Sequence, residues 1–166
     1  MTTPFVAILM GSKNDLPVLQ STIDVFKQLN ITHEVKILSA HRTPMLTKQY
    51  VEDAAQRGAQ VFIAAAGLAA HLAGTIAAHT IKPVIGVPLD AGSLGGLDSL
   101  LSTVQMPGGI PVATTAIGKP GAHNAAILAA QILALHNPTL ENQLLDMRLA
   151  KKQDLINTNA EMEQEA

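Results

Sequence analysis

The sequence contains no cysteine and very few aromatic residues, and these two absences exclude several kinds of site. Without cysteine the chain can form no disulfide, no thiolate metal site and no cysteine nucleophile. Aromatic residues make up only 2% of the chain, so stacking platforms for single-stranded nucleic acid are scarce. The formal net charge is -2 and there is no block of basic residues, so we expect no nucleic-acid partner.

Targeting and membrane signals are also missing. The N-terminus lacks the basic region and long apolar run of a signal peptide, which, with the absence of cysteine, predicts a cytoplasmic location. The stretch 61–78 is apolar apart from His71 and Thr75 and approaches the length of a membrane span. It consists mostly of Ala and Gly, which insert weakly, and His71 would lie near its centre. We therefore interpret it as a buried strand, a turn and a helix, and expect no membrane association.

No motif for a metal, a nucleotide cofactor or a hydrolytic nucleophile occurs. The six histidines include no pair at i, i+3 or i, i+4, and no acidic residue completes a ligand set, so we expect no metal. Walker and GxGxxG loops are absent, as is the GxSxG turn of hydrolases. The motifs therefore give no support for a bound metal, nucleoside triphosphate or dinucleotide.

Five apolar strand patterns alternate with helical patterns, and this alternation predicts the fold class. Phe5–Met10 is a continuous apolar run, typical of a central strand buried on both faces. The alternation predicts an α/β three-layer sandwich with a five-stranded parallel sheet, for which we expect the strand order 2-1-3-4-5. Residues 1–156 should form a single catalytic domain that ends in a C-terminal helix. Residues 157–166 are polar and acidic, and we expect a frayed tail.

The stretch Ser39–Pro44 carries the strongest chemical signal in the chain. It follows an alternating strand pattern, and Thr43 and Pro44 suit the N-cap and first position of a helix. Free backbone N–H groups at such a turn favour an anion, and Arg42 can add a bidentate contact to a phosphate or carboxylate. His41 could transfer protons beside that anion. The alternative is a His-Arg pair that only solvates a loop.

A second turn, Gly11–Asp15, joins the first strand to a helix that opens at Leu16-Pro17. A short apolar strand, a Gly-led polar turn and a helix N-terminus together suggest a phosphate cradle. Helix capping by Asn14 or Asp15 explains those residues equally well. Ser12, Asp15, His41, Arg42 and His71 all follow strands, and ligands of such sheets bind beyond the carboxyl ends of the strands. This shared placement favours a functional site.

The helical pattern at 122–136 is apolar around almost its whole circumference. A helix of this kind is buried, and a domain of this size can hardly cover it alone. We therefore expect a subunit interface and a homo-oligomer.

With these pieces in place, the chain resembles the class I PurE family, the N5-carboxyaminoimidazole ribonucleotide mutases of bacterial purine biosynthesis, over residues 5–150. The similarity extends over several separate stretches in the same order. They are Met10–Lys13 with Asp15, Ser39–Pro44, Ala69–Leu72, Asp98–Leu101, Val104–Pro107, Gly109–Val112, Ala116–Gly118 and Asn124–Ala126. The resemblance implies a flavodoxin-like fold and a homo-octamer. It also implies transfer of a carboxyl group from the exocyclic nitrogen of the substrate to ring carbon 4, without ATP, metal or organic cofactor.

The resemblance also implies a role for each site residue. Ser12 and Arg42 would hold the 5'-phosphate with Ser39 nearby, and Asp15 would bind the ribose hydroxyls of the ribonucleotide substrate. His41 matches the general acid/base. His71 lies in the loop that closes over the aminoimidazole base of the substrate, and it is the second candidate for the general acid/base. The chain departs from the family at Asn14, Leu68, Ala73 and the turn 89–92.

Two alternative functions remain open from the sequence. The animal-type branch carboxylates aminoimidazole ribonucleotide with free carbon dioxide, but it typically carries Lys where this chain has Arg42, and it lacks the Ala-Ala-His-Leu motif. A non-catalytic nucleotide-binding homologue is the second alternative, with Leu68 and Ala73 as the positions that would mark the lost activity.

Overall fold

The computed structural model describes residues 4–164 and contains the predicted five-stranded parallel sheet in the order β2-β1-β3-β4-β5. The strands are β1 (Phe5–Met10), β2 (His33–Ile37), β3 (Ala59–Ala66), β4 (Val84–Pro88) and β5 (Ala113–Thr114). The helices are α1 (Leu16–Gln28), α2 (Pro44–Arg57), α3 (Leu72–Ala77), α4 (Leu97–Val104), α5 (Lys119–Ala134) and α6 (Pro138–Gln164). The predicted α/β class, parallel sheet and strand order are confirmed.

The chain divides into two compact units, one that ends at Ala129 and one that begins at Ala130. The first contains the sheet, helices α1 to α4 and most of α5, and the second contains the end of α5 and all of α6. The boundary of a single catalytic domain at residue 156 therefore stays a prediction.

Helix α6 continues to Gln164, so residues 157–164 are helical rather than frayed. This segment is exposed but contains neither Gly nor Pro, so nothing in the sequence stops the helix there. Residues 165 and 166 lie outside the described part of the chain.

Three central strands form the core of the first unit. Residues of β1 are buried along its whole length, and β3 and β4 are buried almost throughout, because parallel strands are covered on both faces. Strand β2 is an edge strand, and its Val35 and Ile37 are exposed. The helix α2 that follows it begins at Pro44 and ends at Arg57, before the C-cap Gly58, whose φ of 110° lies in the left-handed region that favours glycine.

The strand register places three loops side by side. Met10, the last residue of β1, pairs with Ile37 of β2 and with Ala65 of β3. The three strands therefore finish at nearly the same level, and the turns after them leave from one edge of the sheet. This is where the polar turns of the sequence were expected to meet.

The fifth strand is short, and the fifth helix begins earlier than its sequence pattern. Strand β5 contains only Ala113 and Thr114, and Pro111 before it has no N–H to donate to a ladder. Helix α5 begins at Lys119, three residues earlier than its apolar pattern, because Pro120 suits the first turn of a helix. Its residues Ala122, Ala125, Ala126 and Ala129 are buried.

Candidate active site

A cavity of about 320 Å³ lies beyond the carboxyl ends of β1, β2 and β3. The six residues predicted from the sequence all line it, namely Ser12, Asp15, Ser39, His41, Arg42 and His71. Small residues provide much of the remaining wall, with Gly11, Ala40, Ala66, Gly67, Ala69 and Ala91 beside Leu68 and Leu72. The cavity therefore has a polar side formed by the first two turns and a mostly apolar side formed by the third.

The first turn is held by reciprocal hydrogen bonds between Ser12 and the short 3-10 helix Lys13–Asp15. The Ser12 hydroxyl accepts from the backbone N–H of Asn14 at 3.2 Å, and the Ser12 N–H donates to Asp15 Oδ2 at 2.8 Å. This is a capping box of the 3-10 helix, with Ser12 as its N-cap. Asp15 is the N-cap residue of α1 but makes no side-chain capping hydrogen bond to that helix. The capping box does not exclude a ligand role, because both side chains also line the cavity.

The Asp15 carboxyl is partly buried, and this environment affects its titration. Burial raises the pKa of Asp15 above its ordinary value, because desolvation disfavours the charged form. The backbone N–H groups of Ser12 and Gly11 and the charge of Arg42 lower the pKa and offset this rise only in part. The ionised carboxylate is therefore under-solvated, and hydrogen-bond donors on a ligand would stabilise it.

The second turn is organised by hydroxyl groups. The backbone N–H of Ser39 donates to Thr43 Oγ1 at 2.9 Å, and that hydroxyl donates to the Ser39 carbonyl at 3.1 Å. Thr43 is the N-cap of α2 as predicted, but its side chain fixes the preceding loop and makes no capping hydrogen bond. The Ser39 hydroxyl in turn accepts from the backbone N–H of Arg42 at 3.2 Å.

Arg42 links the second turn to the first. Its Nη2 donates to the carbonyl of Gly11 at 2.6 Å, across the end of β1. This bond uses one of the five N–H donors of the guanidinium, so the group is oriented while others stay available for a ligand. This contact brings Arg42 to the turn that contains Ser12, and both side chains line the cavity.

The two histidines of the site are in direct contact. His41 Nε2 lies 2.7 Å from His71 Nδ1, and the rings meet edge to face with their centroids 4.8 Å apart. One ring must donate the proton and the other accept it, so the contact links the tautomers of both rings. Two protonated rings could not make this bond. The geometry therefore couples the proton-transfer candidate His41 to the third turn.

No three His, Asp or Glu side chains among residues 4–164 come together in a way that could hold a metal ion. None of the helices formed by those residues is long and apolar enough to cross a membrane.

The chain is similar to known proteins over nearly its whole length. The family model described as AIR carboxylase matches residues 5–154. The chain belongs to the AIR carboxylase family. It is 53% identical to the N5-carboxyaminoimidazole ribonucleotide mutase of Escherichia coli K12, over 91% of this chain and 89% of that protein. The mutase of Bacillus subtilis is 49% identical, over 96% and 98% of the two chains.

The similarity extends to an archaeal protein and to a solved structure. The mutase of Saccharolobus solfataricus is 48% identical over 95% of this chain and 99% of its own. The crystal structure of Treponema denticola PurE matches with a TM-score of 0.85 and 27% identity, over 96% of this chain and 98% of that one. The family similarity and the flavodoxin-like fold implied by the sequence are therefore confirmed.

The third turn of this family member contains a strained residue that sequence reasoning noted only as a departure. Leu68 has a φ of 56°, in the left-handed region that a leucine rarely adopts, and this conformation costs roughly 1–3 kcal/mol. Its side chain lies against Gly92, in the segment after β4 that also contributes Ala91 to the cavity wall. The sequence singles out this segment only as a turn, 89–92, that departs from the family, and does not assign it to the site.

Proposed function

We propose that the chain is an N5-carboxyaminoimidazole ribonucleotide mutase of de novo purine biosynthesis. It moves the carboxyl group from the exocyclic nitrogen to ring carbon 4, and the product is 4-carboxy-5-aminoimidazole ribonucleotide. The curated relatives at about half identity carry this activity as their name. The observation that supports it most directly in the structure is the His41–His71 contact, in a cavity whose polar end holds Arg42 and Ser12.

The phosphate of the ribonucleotide binds at the polar end of the cavity in this proposal. Arg42 supplies a fixed positive charge and a planar set of donors, and Ser12 and Ser39 supply hydroxyl groups. Asp15 accepts hydrogen bonds from the ribose hydroxyls, which compensates the partial burial of its carboxylate. These contacts place the aminoimidazole ring toward the apolar wall near His41 and His71.

The reaction needs one proton shuttle and no net supply of protons. The bond between the exocyclic nitrogen and the carboxyl carbon breaks, carbon dioxide leaves, and the nitrogen gains a proton. Carbon dioxide then bonds to carbon 4, and the proton on that carbon must leave to restore the aromatic ring. His41 can give the first proton as imidazolium and take the second as neutral imidazole, because an imidazole exchanges protons near neutral pH.

The remaining walls suit the confinement of carbon dioxide. Ala66, Gly67 and Ala69 offer no hydrogen-bonding side chain, so this side of the cavity binds water poorly. Carbon dioxide released from the nitrogen would stay beside the ring rather than be hydrated. This is the requirement that distinguishes a mutase from an enzyme that takes carbon dioxide from solution.

Carboxylation of aminoimidazole ribonucleotide by free carbon dioxide is the second candidate, since the matching family model is described as AIR carboxylase. Arg42 favours the mutase, because the carboxylating branch typically carries Lys at this position. The test supplies N5-carboxyaminoimidazole ribonucleotide labelled with ¹³C in the carboxyl group, in excess unlabelled bicarbonate. A mutase retains the label in the product. Loss of the label, with rapid carboxylation of aminoimidazole ribonucleotide, would support the carboxylase.

We also propose a cytoplasmic homo-octamer. Leu97, Leu101 and Val104 are exposed at i, i+4 and i+7 on α4, and an apolar stripe of this kind on a helix commonly packs against a partner. Sedimentation velocity at micromolar concentration should give the mass of an octamer. A stable monomer under those conditions would contradict the proposal.

A further inference from the structure

The turn that carries His71 packs directly against the glycine-rich segment after β4. The backbone N–H of Leu89 donates to the carbonyl of Ala66 at 3.0 Å, which extends the β3–β4 pairing past the strands. The next positions are in close contact, since a Cβ built on Gly67 would lie 2.6 Å from the Cβ of Ala91. The two segments therefore leave the sheet in contact, with no space for a further methyl group at that point.

Leu68 forms the next contact between these segments. A Cβ built on Gly92 would lie 2.6 Å from Leu68 Cδ2, so the leucine occupies the space that any side chain at position 92 would need. Leu68 holds a φ of 56° and Gly92 a φ of 85°. A left-handed leucine persists only when its surroundings fix it. The Leu68 side chain is 55% exposed, and its Cδ2 end is the part that lies against Gly92.

We propose that Leu68, packed on Gly92, is a positioning residue that sets the place of the His71 ring against His41. The significance for catalysis rests on the function proposed above. Only two residues separate Leu68 from His71, and the His71 N–H donates to the Ala69 carbonyl at 2.9 Å, so the turn is tight. A change at Leu68 therefore moves the His71 ring. The 2.7 Å contact with His41 leaves little tolerance, because hydrogen bonds weaken steeply with displacement.

The first test uses two glycines of the same segment. Gly92 and Gly95 both have positive φ, but a Cβ on Gly95 would meet nothing within 4 Å. Gly92→Ala and Gly95→Ala therefore incur similar backbone strain, and only the first displaces Leu68. The readout is the imidazole nitrogen NMR spectrum of the ligand-free protein, with ¹⁵N in the histidine rings. Gly92→Ala should shift the His71 Nδ1 and His41 Nε2 resonances, and Gly95→Ala should leave them at their parental positions.

A second variant keeps the inference testable if Gly92→Ala folds poorly. Leu68→Asn removes the branched side chain but retains a residue that tolerates the left-handed region. It should keep a Tm close to that of the parent and shift the same histidine resonances. It should also lower kcat by about 3- to 10-fold with KM within about twofold, the pattern expected when a proton-transfer group is misplaced. In the Leu68→Asn background, Gly92→Ala should produce no additional shift.

The alternative results are distinct. A merely structural Leu68 would give a lower Tm for Leu68→Asn with kcat and the histidine resonances unchanged, which would overturn the inference. Equal effects of Gly92→Ala and Gly95→Ala on the resonances would also overturn it. If the parent shows no mutase turnover, the proposed function fails, but the histidine resonances of the ligand-free variants still decide whether Leu68 positions His71.

Discussion

Replacement of Arg42 by Lys should weaken the binding of ribonucleotide 5'-phosphates far more than it slows the reaction of bound substrate. Arg42 donates through Nη2 to the Gly11 carbonyl at 2.6 Å, and the planar guanidinium keeps other donors free for a phosphate. A lysine keeps the positive charge but has one nitrogen, which cannot hold Gly11 and bind two phosphate oxygens in the same geometry. The change therefore removes the planar set of donors and leaves only the positive charge.

The loss of one hydrogen bond between charged groups sets the size of the effect. Such a bond contributes about 1.5–3 kcal/mol, which corresponds to roughly a 10- to 100-fold increase in Kd. Calorimetric titration with aminoimidazole ribonucleotide should show this increase, while kcat at saturating substrate changes by less than about threefold. The reaction itself should be affected less because His41 and His71 keep their contact.

Two controls isolate the phosphate contact. Arg57→Lys alters an arginine that pairs with Glu34 and Asp53 outside the cavity, so it should leave the Kd within about twofold of the parental value. The nucleoside without its phosphate should bind the parent and Arg42→Lys equally. If Arg42→Lys binds the ribonucleotide as tightly as the parent, Arg42 does not bind the phosphate and the assignment of that end of the cavity is wrong.

Two further predictions concern the framework that carries the site. The hydrogen bonds from Arg57 lower the pKa of Glu34 in the folded protein below its ordinary value of 4.5. Ionised Glu34 therefore stabilises the fold above pH 4.5, and this stabilisation is lost as the pH falls through the pKa of the folded state. Glu34→Gln should thus reduce Tm at pH 7 by about 1–3 °C. In thermal melts below pH 4.5 the difference in Tm between variant and parent should shrink. An undiminished difference would refute the link between Glu34 ionisation and stability. A Cβ on Gly121 would lie 1.6 Å from the carbonyl oxygen of Ala116, so Gly121→Ala should lower the free energy of unfolding by roughly 3 kcal/mol or more in urea melts. Gly108→Ala, whose Cβ meets nothing within 4 Å, should change it by less than about 0.5 kcal/mol, and equal effects of the two substitutions would contradict the steric argument.

Much of the fold and the membership of the cavity could be predicted from the sequence because both follow from strand patterns. Phe5–Met10 had to be a central strand since it is apolar without interruption, and its neighbours then place the turns containing Ser12, His41 and His71 at one edge. To place such a turn residue in the cavity, it is enough to know which end of its strand it follows.

Other features depend on distances that no local pattern encodes. The contact between His41 and His71 joins residues thirty positions apart, and the sequence treated these histidines as rivals rather than as a pair. The packing of Leu68 on Gly92 likewise requires the relative placement of two loops. The end of α6 was predicted too early because a polar composition suggested fraying, although no residue there breaks a helix.

The most direct test of the central claim is single-turnover interconversion of the two carboxylated ribonucleotides by His41→Asn. Arg42, Ser12 and Asp15 remain in this variant, so we expect ligand affinity within a few-fold of the parent and a rate lower by roughly 10²- to 10⁴-fold, as for a lost general acid/base. His79→Asn, outside the residues that line the cavity, is the matched control and should react at the parental rate. A nearly intact rate for His41→Asn, with chemistry abolished in His71→Asn, would contradict the assignment of proton transfer to His41.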